Sequence, residues 1–242
     1  MRDYAIIFED DFIIAINKPS GLLSIPDRYD KSKLNAWQLI TDKIPGVLPV
    51  HRIDKETSGV LCFAKNPQVH QLLNDGFEKR NIFKEYLALC SSSPSLADGI
   101  ITAPIAHASA ETGKMILHPK GKESITEYHC ETAWGDYCYI KAYPKTGRTH
   151  QIRVHLACIN CPILADPLYN IMTSISISDI KKRVKKNFDQ EPIPLISRCA
   201  LHASKLKFTL FDNEYEIMAD MPKDMKACLA QLNKWLLPKK LH

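Results

Sequence analysis

No apolar run in the chain approaches the ~20 residues that a helix needs to cross a bilayer. The first residues reach Glu9-Asp10-Asp11 before any apolar region of secretory-signal length has formed. Both absences set the expectation of a cytoplasmic protein with no membrane partner. Disulfide architecture is missing as well: the eight cysteines follow no framework spacing, so reduced thiols filling core space are expected. One CxxC, Cys158-Ile159-Asn160-Cys161, lacks a second pair at zinc spacing, which argues against a zinc or redox centre. His150 and His155 do not replace it, because residues five apart lie about 140° apart on a helix and on opposite faces of a strand. No metal is expected. Internal repeats and long linkers are absent too, so residues 1–242 parse as one catalytic-type domain.

What is present is ordinary globular composition, 45% hydrophobic and 24% charged, enough for a sizeable core over 242 residues. The net charge of +5 permits nucleic-acid binding without demanding it, since distribution matters more than the total.

Along the chain, Tyr4–Phe8 and Phe12–Ile16 read as a hairpin, ended by turn chemistry at Asn17-Lys18-Pro19-Ser20-Gly21. Lys18 alone reads as a solvated surface charge. A short helix is expected over Leu34–Ile44, stopped by Pro45-Gly46. Asn66-Pro67 opens a second helix, as N-cap and first-turn proline, with Val69, Leu72, Leu73 and Phe77 as its stripe and Lys79 and Arg80 at its end. Ile82–Cys90 has strand character, and period two places Lys84 and Tyr86 on one face. A phenol beside an ammonium can stack on a base and hold a phosphate; the alternative is a solvated sheet face. Gly99–Ala106 is a further apolar run, followed by a basic loop to Lys122. Ile125–Trp134 and Tyr137–Tyr143 make a strand pair around Gly135-Asp136. Leu201–Leu210 and Glu214–Ala219 make a last hairpin, and Met221–Trp235 a C-terminal helix.

Two stretches carry chemistry. In Val50-His51-Arg52-Ile53-Asp54-Lys55-Glu56-Thr57-Ser58-Gly59, a carboxylate follows an arginine at two residues and leads into the apolar run Val60–Ala64. An ionised carboxylate held on a loop over a core strand can serve as nucleophile or base. The competing reading is an Asp that caps its own turn. In Thr146-Gly147-Arg148-Thr149-His150-Gln151-Ile152-Arg153, Thr149 is a candidate N-cap for a helix with Ile152, Leu156 and Ile159 inward, and Arg148 and Arg153 bracket its first turn. Residues 171–195 break the pattern, with a basic run from Lys181 to Lys186, and read as a surface insertion.

Taken in order, the stretch around Asp54, Phe83-Lys84-Glu85-Tyr86-Leu87-Ala88, and Thr146–Leu156 resemble the motifs of the RluA-type pseudouridine synthases. Lys18-Pro19-Ser20-Gly21 and Leu201-His202-Ala203 are also similar, so the likeness covers nearly the whole chain. The resemblance implies an α+β fold: a mixed, mostly antiparallel sheet in two lobes with flanking helices and a central basic cleft. It implies an isomerase that converts uridine in structured RNA (tRNA, rRNA of the large subunit, or both) to its C-glycoside, without cofactor or metal. Asp54 then matches the catalytic aspartate, attacking the sugar or removing its 2′ proton. Tyr86 matches the tyrosine that stacks on the target base, Arg153 the arginine paired with the aspartate, and Arg52 the residue that fills the gap left by the flipped base. His51, Lys84 and Arg148 join the expected RNA-binding set.

The position of Asp54 leaves no room before it for the S4 domain of longer relatives, so a short, monomeric form is expected. Leu164-Ala165-Asp166 has Ala where relatives usually have Gly, and nothing is transferred to Asp166. Two rivals remain: a non-catalytic RNA-binding or folding protein on the same fold, and a base-releasing glycoside hydrolase, which would be expected to use two carboxylates.

Overall fold

The computed structural model describes residues 4–108, 113–181, 193–239 and 241. In chain order the elements are β1 (Ala5–Glu9), β2 (Ile13–Lys18), α1 (Ala36–Thr41), β3 (Leu48–Pro49), β4 (Ser58–Ala64) and α2 (Pro67–Glu78). Then come β5 (Phe83–Cys90), β6 (Asp98–Thr102), β7 (Ile105–His107), β8 (Met115–Leu117), β9 (Ile125–Trp134) and β10 (Tyr137–Pro144). The chain closes with α3 (Gln151–Cys158), α4 (Ile177–Lys181), β11 (Leu201–Leu210), β12 (Asn213–Met218) and α5 (Lys223–Trp235). This is a mixed, mostly antiparallel α+β fold. It divides into two compact units, Met1–Tyr86 with His202–Asp220, and Leu87–Leu201 with Met221–His242.

In the first unit β4 is buried at every position. It pairs antiparallel with β2, from Ile13↔Ala64 to Lys18↔Gly59, and parallel with β11 at His202↔Ser58 and Ala203↔Gly59. A strand covered on both faces reads as a continuous apolar run, as Val60–Ala64 does. Its alternate residues feed two cores. Val60, Cys62 and Ala64 join Ile13, Val69 and Leu73 of α2 and Leu206 and Phe208 of β11. Leu61 and Phe63 join Ile14, Ile16 and the α1 residues Ala36 and Ile40.

Gly59 has φ +119°, and a Cβ there would lie 2.1 Å from the Ala203 carbonyl oxygen, so the β4–β11 approach requires glycine. Asn66 caps α2 through its side chain, 2.9 Å from the Val69 amide, with Pro67 at the first turn as expected. The first helix is shorter than Leu34–Ile44: Asn35 accepts from the Gln38 amide and sets its start.

In the second unit β9 pairs antiparallel with β10 and with β6, while β7 and β8 form a separate hairpin. The apolar run Gly99–Ala106 spans β6 and β7, with Pro104, which has no amide to donate to a ladder, between them. One expectation needs correction here. Thr149 is not the N-cap of α3; His150 is, in the left-handed region at φ +54° and without a side-chain cap bond. Gln151, not a cap hydroxyl, organises this turn.

Part of residues 171–195 contributes interior contacts, with Ile175 and Ile180 buried and Ile175 bridged to Ile196. Most of the basic run falls within 182–192, outside the described residues. No helix among the described residues is long and apolar enough to cross a membrane.

Candidate active site

Residues 53–57 rest on a floor made by the turn that follows β2. The Lys18 ammonium, fully buried, donates to the carbonyl oxygens of Leu22 (2.6 Å), Pro19 (3.1 Å) and Lys55 (3.1 Å). The Gly21 amide donates to the same Lys55 oxygen at 2.8 Å. Ser20 Oγ donates to Glu56 O, and Ser24 Oγ both donates to Ile53 O and accepts from the Ile53 amide. Lys18 is therefore not the solvated charge that its sequence context suggested. A buried ammonium is tolerable where carbonyl oxygens replace its water. Here two come from the turn that follows β2 and one from Lys55 in Asp54's loop, and the Lys18-Pro19-Ser20-Gly21 motif acquires a physical role.

The far end of the loop is fixed with equal care. Buried His202 donates from Nε2 to the Ala219 carbonyl at 3.0 Å, which leaves Nδ1 to accept from Ser58 Oγ at 3.0 Å. The Thr57 amide donates to the Asp54 carbonyl at 3.1 Å, closing the turn. The backbone on both sides of Asp54 is thus held while its carboxylate remains half-buried.

Tyr86, near the middle of β5, is also half-buried. Burial and the Asp54 charge together push its hydroxyl well above the ordinary tyrosine value. The phenol therefore keeps its proton while Asp54 is ionised, and the two groups belong to one electrostatic site. Lys84, two residues earlier, bears on His51 in the same manner. Burial and the Lys84 charge lower the His51 ring to about 3. His51 Nε2 accepts the Cys62 amide at 3.0 Å, and the ring stacks on Phe77 with centroids 5.1 Å apart. At neutral pH the ring is uncharged. Arg52, between His51 and the loop, is exposed.

Arg153 belongs to the second unit, on α3, and is 3% exposed. Its Nε and Nη2 donate to the two oxygens of fully buried Asp166, each at 2.7 Å, and Tyr169 lies under its guanidinium at 5.3 Å. Burial pushes the Asp166 carboxyl up, but the Arg153 hydrogen bonds and charge outweigh it and hold the group below its ordinary value. The Asp166 loop includes Ala165 at φ +53°, a conformation that glycine adopts without strain. The sequence reading transfers nothing to Asp166, and the structure makes it the buried partner of Arg153.

Gln151 is buried, accepting from Thr146 Oγ1 (2.7 Å) and the Arg148 amide (3.0 Å) and donating to Ile125 O and Thr126 Oγ1 (2.9 Å each). It ties the 146–148 turn to β9. Arg148 Nε donates to Glu123 O at 3.0 Å, and its side chain lines an open basic pocket of ≈ 400 Å³ with Lys120, Lys122 and His107. His155 uses both ring nitrogens, on Thr126 Oγ1 and Ala103 O at 2.9 Å. Among the described residues, groups of three or more side chains that converge like metal ligands are confined to Cys90, Cys138 and Cys161 of the second unit.

The fold is that of known pseudouridylate synthase domains. The structure of human RNA Pseudouridylate Synthase Domain Containing 4 superposes with a TM-score of 0.72 at 23% identity, covering 98% of this chain and 95% of that one. Human RNA Pseudouridylate Synthase Domain Containing 1 gives 0.71 at 24% identity, covering 99% and 90%. At the level of sequence, the model of a family described as RNA pseudouridylate synthase matches residues 12–158. Ribosomal large subunit pseudouridine synthase D of Vibrio cholerae is 34% identical over 231 residues, 91% of this chain and 68% of the relative. Dual-specificity RNA pseudouridine synthase RluA of Vibrio vulnificus is 33% identical over 211 residues, 84% of this chain and 76% of the relative. The chain belongs to the RNA pseudouridylate synthase family and is an isomerase that converts uridine in RNA to pseudouridine.

Proposed function

We propose that Asp54 carries this isomerisation on uridines of structured RNA, with large-subunit rRNA and tRNA as the two substrate classes to test first. The two relatives are named for ribosomal and for dual-specificity RNA modification, which supports that choice. The observation that carries the assignment to Asp54 is its setting. A half-buried carboxylate sits on a loop held by Lys18, Ser20, Gly21 and Ser24, and its charge helps keep the Tyr86 phenol protonated. Rigid support beneath a reactive group is what positioning requires, since misplacement by an ångström costs about 10²-fold in rate.

The target base must leave its stack before the glycosidic bond is accessible, at a cost of a few kcal/mol. Exposed Arg52 is placed to offset part of this by stacking and phosphate contact, and the Tyr86 ring to receive the base. Asp54 then attacks C1′ or removes the 2′ proton, the C1′–N1 bond breaks, uracil turns, and C5 joins C1′ with loss of its proton. Lys84, His51 and Arg148 complete the proposed RNA-binding set, and Arg153 belongs with Asp54 and Tyr86 to the proposed catalytic set. The protein acts as a cytoplasmic monomer, and no step needs a cofactor.

The test is tritium release from RNA carrying [5-³H]uridine, with total tRNA and 23S rRNA as separate substrates. Wild type should release tritium from at least one, and Asp54→Ala from neither. Equal release by Asp54→Ala would remove Asp54 from the chemistry. Salt-sensitive binding of both RNAs without release would favour the RNA-binding or folding role, and free uracil among the products would favour hydrolysis.

A further inference from the structure

Three of the eight cysteines meet at one point in the second unit with a fourth close by, although they are far apart in sequence. The Sγ atoms of Cys90, Cys138 and Cys161 all lie within 4.8 Å of one another, and those of Cys138 and Cys161 are 3.4 Å apart. All three residues are fully buried. Cys130, 6% exposed, stands on β9 diagonally across from Cys138, outside the group whose sulfurs all lie within 4.8 Å of one another, and is the candidate fourth ligand.

The fold gathers them by a local device. Thr126, Tyr128 and Cys130 alternate inward along β9, but Glu131 is exposed and the next buried residue is Ala133. The register shifts between Tyr139 and Ile140, so that Cys130 pairs with Ile140 and Ala133 with Cys138. One extra residue on β9 therefore turns Cys130 and Cys138 to the same side. Cys90 ends β5, and Cys161 follows α3, its amide donating to the Leu156 carbonyl at 2.9 Å. Cys158, the other half of the CxxC, is exposed and outside the group.

We infer that Cys90, Cys130, Cys138 and Cys161 form a closed, structural zinc site. Thiolates are soft ligands suited to Zn²⁺, and Zn–S bonds of about 2.3 Å place sulfurs roughly 3.8 Å apart on a tetrahedron, a spacing compatible with that among Cys90, Cys138 and Cys161, while Cys130 would close in to complete it. Four sulfurs with no open position leave nothing for a water or substrate, so the metal would have no catalytic duty. Its duty is to join the end of β5, the β9–β10 pair and the C-terminus of α3, the helix that carries Arg153. On binding, the four thiols release their protons to solvent. The Ser92 carbonyl, now accepting from Cys138 and Cys161 at 3.0 and 2.9 Å, loses both donors and must be outweighed by the Zn–S bonds. The absence of a second CxxC gave no warning of this site, because its ligands come from four separate elements.

The test is metal content and spectroscopy on the full chain, expressed in zinc-supplemented medium and purified with a thiol reductant and without chelator. Wild type should hold about one zinc per chain by elemental mass spectrometry, and Co²⁺ added to the chelator-treated protein should give a thiolate charge-transfer band with tetrahedral d–d bands. Cys158→Ser should keep both signals, and Cys130→Ser should weaken both. Cys138→Ser should abolish both, and if it fails to fold the wild-type cobalt spectrum still decides. Wild type without zinc and without a cobalt band would overturn the site, leaving packed thiols. Zinc lost in Cys158→Ser, or retained in full by Cys138→Ser, would overturn the ligand set.

Discussion

Nζ of Lys18 lies 3.1 Å from the carbonyl oxygen of Lys55, the residue that follows Asp54, and Gly21 donates to the same oxygen at 2.8 Å. Through this contact a buried ammonium on β2 sets the height of the loop that carries Asp54. Lys18→Met keeps the stem and removes the charge-assisted donors, each worth about 1.5–3 kcal/mol. The expected result is destabilisation of roughly 3 kcal/mol by urea unfolding. Single-turnover tritium release should fall about 10²-fold while RNA affinity stays within a factor of two or three. Wild-type turnover in a folded Lys18→Met protein would remove the positioning role.

The Arg153–Asp166 pair should show its strength through pH. Asp166 ionises below its ordinary 3.8 in the folded chain, so the unfolded chain binds the proton first as pH falls. Its contribution is complete above pH 3.8 and is lost as pH drops through the lower folded value. Asp166→Asn breaks a buried ion pair and should cost about 3–5 kcal/mol at neutral pH. It should also flatten the part of the stability–pH curve below 3.8, as measured by denaturant unfolding between pH 2 and 5. A variant as stable as wild type at pH 7 would contradict this reading.

His51 has the same sign by a different cause. Its folded ring titrates near 3 instead of 6.5, because burial and Lys84 disfavour the charged form. The unfolded chain therefore takes up a proton from pH 6.5 downward while the folded chain does not. Stability should decline toward acid by up to about 1.4 kcal/mol per pH unit in that window. His51→Gln, which can still accept the Cys62 amide, should reduce the slope between pH 7 and 5. An unchanged slope would mean that another group titrates there.

These positions also mark how far the sequence could be read. Period two placed Lys84 and Tyr86 together, and both bear on the loop at 51–54, since strand alternation is a local property. Asn66-Pro67 gave the start of α2 for the same reason. Lys18 was misjudged because its burial depends on Lys55, a partner 37 residues away, and nothing local announces such a contact. Asp166 was passed over because Ala165 stands where glycine was expected, yet the φ of +53° shows that the backbone bend is retained. The thiol cluster was invisible since a bulge and four separate elements create it. Local chemistry was legible, and long-range convergence was not.

Tyr86 separates two roles that one substitution can test. Its ring offers a stacking face, and its hydroxyl, the proposed carrier of the C5 proton, has its ionisation opposed by burial and by the Asp54 charge. While Asp54 is ionised the phenol holds its proton, so it is no base in the resting site. If Asp54 forms an ester with the sugar, that negative charge is neutralised and one cause of the upward shift disappears. The hydroxyl then becomes more acidic at the stage when the C5 proton must leave. Tyr86→Phe keeps the ring and should bind RNA as wild type does. It should slow tritium release by about 10²-fold or more, the size of a lost general acid–base group. Tyr86→Ala loses the stacking surface as well, worth about 1–3 kcal/mol per base, and should weaken binding in addition. Comparing the two variants in binding and in single-turnover release divides ring from hydroxyl. Full activity in Tyr86→Phe would confine Tyr86 to stacking and assign the C5 proton to another group.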